Sequence, residues 1–126
     1  MTVTEQLSAL ESILAHGDLS SLFQPIVSLS EQRILGYEAL TRGPSNSPLH
    51  SPINLLATAR QAGRLNELEM ACRRSACRRY SQGALRGKLF LNASPETLLE
   101  AAHKPGRTLE LLNAYGIPAE QVVIEL

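Results

Sequence analysis

Three short apolar, β-prone runs each end in an oxygen-bearing residue, and this repetition narrows the fold more than any other feature of the chain. Arg33-Ile34-Leu35-Gly36-Tyr37 runs into Glu38-Ala39-Leu40-Thr41-Arg42, Lys88-Leu89-Phe90-Leu91 into Asn92, and Gln121-Val122-Val123-Ile124 into Glu125. Such runs read as strands. Alternation along a strand places Gly36, Glu38 and Leu40 on one face, as it does Phe90 with Asn92 and Val123 with Glu125. The intervals between the three runs each have room for a crossover helix. Strand–helix–strand connections of that length imply parallel pairing through right-handed crossovers, hence an α/β fold.

The remaining signals fill in the elements. Thr4 is placed to cap a first helix running to about His16, with Leu7, Leu10, Ile13 and Leu14 as its apolar stripe and Gly17 to end it. That stripe suits either a docking or dimerisation helix or an ordinary packed element. Leu22 to Val27 and Arg33 to Leu40 read as an antiparallel pair joined by a short turn. Gly43 to Pro52, with three prolines, is a loop beside Arg42, either facing a ligand or simply connecting. Ser51 or Pro52 opens a helix from Ile53 to about Gln61, ended by Gly63. A second helix runs from Leu65 to about Ser81, with Leu65, Leu68, Cys72, Ala76 and Tyr80 toward the core and Arg73, Arg74, Arg78 and Arg79 mostly on its solvated side. Ser94-Pro95 starts a helix through about His103, and Leu109 to Tyr115 gives another before Gly116-Ile117-Pro118 turns into the last strand.

Four segments, in order, resemble the motifs of the EAL domains, which hydrolyse the bacterial messenger cyclic di-GMP. Phe23-Gln24-Pro25-Ile26-Val27 is similar to the family's Q-P-I-V strand and Gly36-Tyr37-Glu38-Ala39-Leu40-Thr41-Arg42 to its E-x-L-x-R signature. Leu91-Asn92-Ala93-Ser94-Pro95 is similar to L-N-x-S, and Val123-Ile124-Glu125-Leu126 to v-I-E-i. An isolated Glu-Ala-Leu would mean little, so order and spacing carry the likeness, which spans roughly Leu22 to Leu126. A lone Glu or Asn at a strand end is ordinarily a solvated or turn-forming residue. The coincidence of three within these motifs selects Glu38, Asn92 and Glu125.

The resemblance implies a TIM-like (β/α) barrel whose first strand is antiparallel. Such barrels need about 250 residues, and this chain has 126. About half of a barrel is therefore expected: an N-terminal helix over 1–20, then the N-terminal half of an EAL domain over 21–126. The expectation is a fragment, since the family pattern continues into Thr-Glu and then into strands bearing two adjacent aspartates, a lysine and another glutamate. With Met1 so close to the first motif, any partner domain is expected to follow it.

The implied activity is metal-assisted hydrolysis of cyclic di-GMP to the linear dinucleotide. Mg²⁺ or Mn²⁺, two ions in the complete domain, would be held in part by Glu38, Asn92 and Glu125, all hard oxygen donors. Gln24, Leu40 and Arg42 would contact the dinucleotide, Arg42 through a phosphate oxygen. No residue that acts on the attacking water is assignable in this half, so these residues alone are expected not to turn over substrate. Two other roles fit the same scaffold: a non-catalytic cyclic di-GMP receptor, or a protein-interaction module, with homo-oligomers allowed in each case.

Composition supports a globular segment without a polyanion partner. Hydrophobic residues make up 44% and charged residues 19%, and twelve Lys and Arg balance twelve Asp and Glu. A net charge of zero gives no general attraction to DNA, RNA or anionic lipid, so anion recognition must be local, as at Arg42. The N-terminus lacks a signal pattern and no stretch reaches the eighteen or so apolar residues of a membrane span, so a cytoplasmic location is expected. Cys72 and Cys77 point to different sides of one helix and read as reduced, packed thiols rather than a disulfide or metal pair. His16, His50 and His103 stand apart from every motif.

Overall fold

The computed structural model describes residues 2–83, 85–99 and 106–126. Its first helix, α1 (Val3–His16), begins two residues earlier than the Thr4 cap would place it. Thr2 is the cap: its hydroxyl accepts from Glu5 N at 3.1 Å and the Glu5 carboxylate accepts from Thr2 N at 3.3 Å. This reciprocal box satisfies two amides at once, which outweighs a lone hydroxyl at Thr4. Gly17 ends the helix as expected, with φ 67.

Strands β1 (Ser20–Ser28) and β2 (Arg33–Arg42) form the expected antiparallel pair, with Gln24 opposite Glu38, Leu22 opposite Leu40 and Ser20 opposite Arg42. Both strands are longer than the hydrophobic pattern suggests because their extra ends are polar. The hydroxyl of Ser21, 1% exposed, lies 3.2 Å from Thr41 Oγ1 and 2.9 Å from Ser75 Oγ, so polar residues are satisfied inside the fold there. Pro25 is tolerated because β1 is an edge strand.

From β2 the chain crosses through α2 (Pro52–Gln61) and α3 (Leu65–Gln82) to β3 (Lys88–Asn92), and from β3 through α4 (Pro95–Leu98) and α5 (Arg107–Ala114) to β4 (Val122–Glu125). Both pairings are parallel, and the strand order is β1-β2-β3-β4. The result is a partial, unclosed barrel wall with an antiparallel first strand. Gly36 lets β2 and β3 approach. A Cβ at Gly36 would come within 2.3 Å of Lys88 O and 2.7 Å of Phe90 Cε2. The helix expected to run from Ser94 through about His103 is described only as α4, and the rest of that expectation lies outside the described residues.

Two apolar clusters flank α3. One joins Ala76, Cys77 and Tyr80 to Leu89 and Leu91 of the sheet and to Leu111 and Leu112 of α5. The other joins Leu65 and Leu68 to α1 (Leu10, Ile13), to α2 (Leu55, Ala59) and to Leu49 of the 43–51 loop, with Cys72 packed against it. The cysteines thus serve different clusters and both are free. The surrounding protein pushes the Cys72 thiol up to about 12 and the Cys77 thiol to about 11, chiefly by desolvation, so both stay protonated at neutral pH. Leu49 has no exposed surface, so the loop after Arg42 is pinned at one point rather than lying wholly on the surface.

Of the four arginines expected on the solvated side of α3, one is buried. Arg73, expected on the solvated side, is only 6% exposed and is paired with Glu69, itself 8% exposed. The stripe rule sorts residues by side-chain type and so assigns a guanidinium to water. A carboxylate one turn away makes burial of this guanidinium affordable.

Candidate metal and ligand site at the strand ends

Register alone brings the six expected site residues to one face of the sheet. Glu38 is level with Phe90, Phe90 with Val123, and Asn92 with Glu125. Across the hairpin Gln24 faces Glu38, while Leu40 and Arg42 continue the same alternation toward the end of β2. All six side chains therefore leave the same surface, the side opposite the α3 and α5 packing. Glu38 sits one dipeptide step behind Asn92, which corresponds to roughly 6–7 Å along a strand.

Asn92 and Glu125 occupy matching positions on neighbouring strands, and Ala93 N donates to Glu125 O at 2.8 Å, tying the two strand ends together. Asn92, Gln24 and Arg42 are exposed, whereas Glu38, Leu40 and Glu125 are half-buried. Glu125 Oε1 is buried and has no hydrogen-bond partner among the described residues. A buried carboxylate oxygen without a donor is costly, and a cation is one group that would offset the cost.

The donor set has the right chemistry for a hard divalent ion, namely two carboxylates and an amide oxygen. It is an incomplete shell. Among the described residues no group of three or more His, Cys, Asp or Glu is placed to hold a metal, so these three residues would need water, ligand or further protein oxygens to complete coordination.

A cavity of about 500 Å³ opens at the C-terminal ends of the strands, between the sheet and helices α2 and α3. Leu40, Asn92 and Glu125 border it from the sheet, Glu69 and Arg73 from α3, and Glu96 from α4. At its outer edge Arg60 makes a forked contact with Glu96, at 2.7 Å for the shortest bond. That hydrogen bond holds the Glu96 carboxyl below its ordinary value. Glu69 was not among the expected site residues. Its signal lay in the spacing to Arg73, one turn on, which marks an ion pair without saying that it is buried.

The family model of the EAL domain matches residues 7–126. Probable cyclic di-GMP phosphodiesterase PdeI of Escherichia coli K12 is 32% identical over 117 residues, which cover 87% of this chain and 15% of PdeI. The EAL domain of FimX from Xanthomonas citri superposes with a TM-score of 0.78 at 21% identity, over 97% of this chain and 48% of that one, a likeness of fold. BlrP1 of Klebsiella pneumoniae, solved as a manganese and cyclic di-GMP complex, matches with a TM-score of 0.70 at 26% identity, over 85% of this chain and 26% of that one. The chain thus spans about half of the FimX EAL chain and a smaller part of the other two.

Proposed function

Since the chain belongs to the EAL domain family, we propose that the open face of its sheet is one wall of a cyclic di-GMP phosphodiesterase site. The observation that supports this most is the pairing of Asn92 with Glu125 at adjacent strand ends, with Glu125 Oε1 buried and without a partner among the described residues. Glu38, Asn92 and Glu125 would hold Mg²⁺ or Mn²⁺. The chemistry such an ion would supply there is Lewis-acid polarisation of a phosphoryl oxygen and acidification of a water.

The other residues bind and orient. Arg42, at the free end of β2, presents a planar fork suited to a non-bridging phosphate oxygen. Gln24, across from Glu38, offers an amide to a nucleotide edge, and Leu40 an apolar surface between them. Hydrolysis adds water across one phosphodiester bond and releases a ribose hydroxyl, giving the linear dinucleotide. This chain contributes binding and metal-holding groups to that reaction. Turnover belongs to a protein that adds further acidic and lysine residues at the attacking water.

No helix among the described residues is long and apolar enough to cross a membrane. Together with two free thiols, this supports a cytoplasmic location in our reading. The outer edges of β1 and β4 are where further strands, a following domain or a second copy would pair.

Equilibrium dialysis of cyclic di-GMP against the chain with Mn²⁺ present tests the binding role. Arg42→Ala should weaken binding by about tenfold, the loss expected for one charge-assisted hydrogen bond. Binding that does not depend on Arg42 would place the ligand elsewhere, and binding unaffected by Mn²⁺ would favour a receptor over a phosphodiesterase.

A further inference from the structure

Glu69 reaches from α3 to the segment that follows Asn92. Its Oε1 accepts from Ser94 N at 2.9 Å, and its Oε2 accepts from Thr97 Oγ1 at 2.7 Å and from Arg73 Nη2 at 3.3 Å. Thr97 is 1% exposed, and both charged partners are buried as well. Burying such a pair takes two ions out of water, a penalty that their attraction must offset and that an apolar side chain of similar size would avoid. What an apolar side chain could not do is accept the Ser94 amide and the Thr97 hydroxyl.

Those two donors lie just beyond Asn92. No hydrogen bond from the Asn92 side chain is seen among the described residues, so its direction follows from the backbone that bears it. That backbone is held on one side by the Ala93 N to Glu125 O bond and on the other by Glu69. We propose that Glu69 is a positioning residue for Asn92, fixing the turn after β3 and so the direction in which the Asn92 amide faces a bound cation and ligand. The inference rests on reading the open face as the EAL metal site.

Glu69→Gln in the full chain is the test. It keeps the volume and an acceptor for Ser94 N, but it removes the charge facing Arg73 and turns an NH₂ toward Thr97 or Arg73. Two readings are taken: the nuclear magnetic resonance signals of the Asn92 side-chain amide, and Mn²⁺ affinity by calorimetry. Glu69→Gln should move the Asn92 signals and weaken Mn²⁺ binding on the order of tenfold, the usual effect of losing a residue that orients a metal ligand. Glu69→Asp, which keeps the charge, should restore part of both. Glu67→Ala, which breaks an exposed pair with Arg64 on the same helix, should change neither.

A folded Glu69→Gln protein with wild-type Asn92 signals and wild-type Mn²⁺ affinity overturns the proposal. If the wild-type chain binds no Mn²⁺, the phosphodiesterase reading fails on its own, and the Asn92 signals decide the positioning role: signals moved by Glu69→Gln and recovered by Glu69→Asp support it, and unmoved signals overturn it. Should Glu69→Gln fail to fold, Thr97→Val, which removes one donor and leaves the ion pair, takes its place with the same two readings.

Discussion

The two faces of the four-stranded sheet are built to different ends. On one, Ala39, Leu89 and Leu91 are buried beneath α3 and α5, with Tyr80 meeting Phe23 edge to face at 6.3 Å between ring centroids. On the other, alternation and register place Gln24, Glu38, Asn92 and Glu125. Alternation along a strand means that one run of residues must serve both purposes, and this explains why each apolar run ends in a polar residue. If the covered face supplies stability and the open face the proposed chemistry, substitutions on the two should separate these properties.

The largest expected effect is on the covered face. Leu89→Ala should cost about 2–5 kcal/mol in urea unfolding, because it leaves a cavity in a packed interior, while Phe90→Ala, one residue along and half-buried on the open face, should cost about 1 kcal/mol. Equal costs would break the comparison. Next is Gly36→Ala, at the close approach of β2 to β3, where the added methyl meets a backbone carbonyl. It should cost about 1–3 kcal/mol by the same measurement.

A chemical probe sharpens the same contrast without mutation. Cys77 lies under the sheet with no exposed surface, and its thiol is pushed up to about 11. Iodoacetamide should leave Cys77 unmodified in the folded chain at neutral pH and label it at the rate of unfolding. Labelling that outruns unfolding would mean the covered face opens locally.

The smallest effect is electrostatic and lies at the outer edge of the cavity. The hydrogen bond from Arg60 lowers the Glu96 carboxyl from its ordinary 4.5. A depressed carboxylate contributes stability above the unfolded value, and the contribution is lost as pH falls through the lower folded value. Both groups are exposed, so the effect should appear in a site-specific titration rather than in global stability. Arg60→Ala should return the Glu96 midpoint upward, toward 4.5.

Much of this fold was legible because its signals are local. The hairpin, both crossovers and the shared face of Glu38, Asn92 and Glu125 follow from period-2 alternation and turn residues. What was missed depends on contacts between distant segments. Nothing around Leu49 marks a buried anchor within a proline-rich loop. Arg73 reads as a solvated cation until Glu69 and Thr108 are seen beside it. The Thr2 cap was legible in principle, since the Thr2-to-Glu5 spacing is the capping-box signature that favours it over Thr4.

The central claim is that the open face holds a divalent cation through Glu38, Asn92 and Glu125, and calorimetric titration of Mn²⁺ into the wild-type chain and into Glu125→Gln tests it most directly. The account predicts saturable binding by the wild type, weakened about tenfold or more by a substitution that removes the anionic ligand and leaves urea stability nearly unchanged. Binding that Glu125→Gln does not alter, or no binding by the folded wild type, would contradict it.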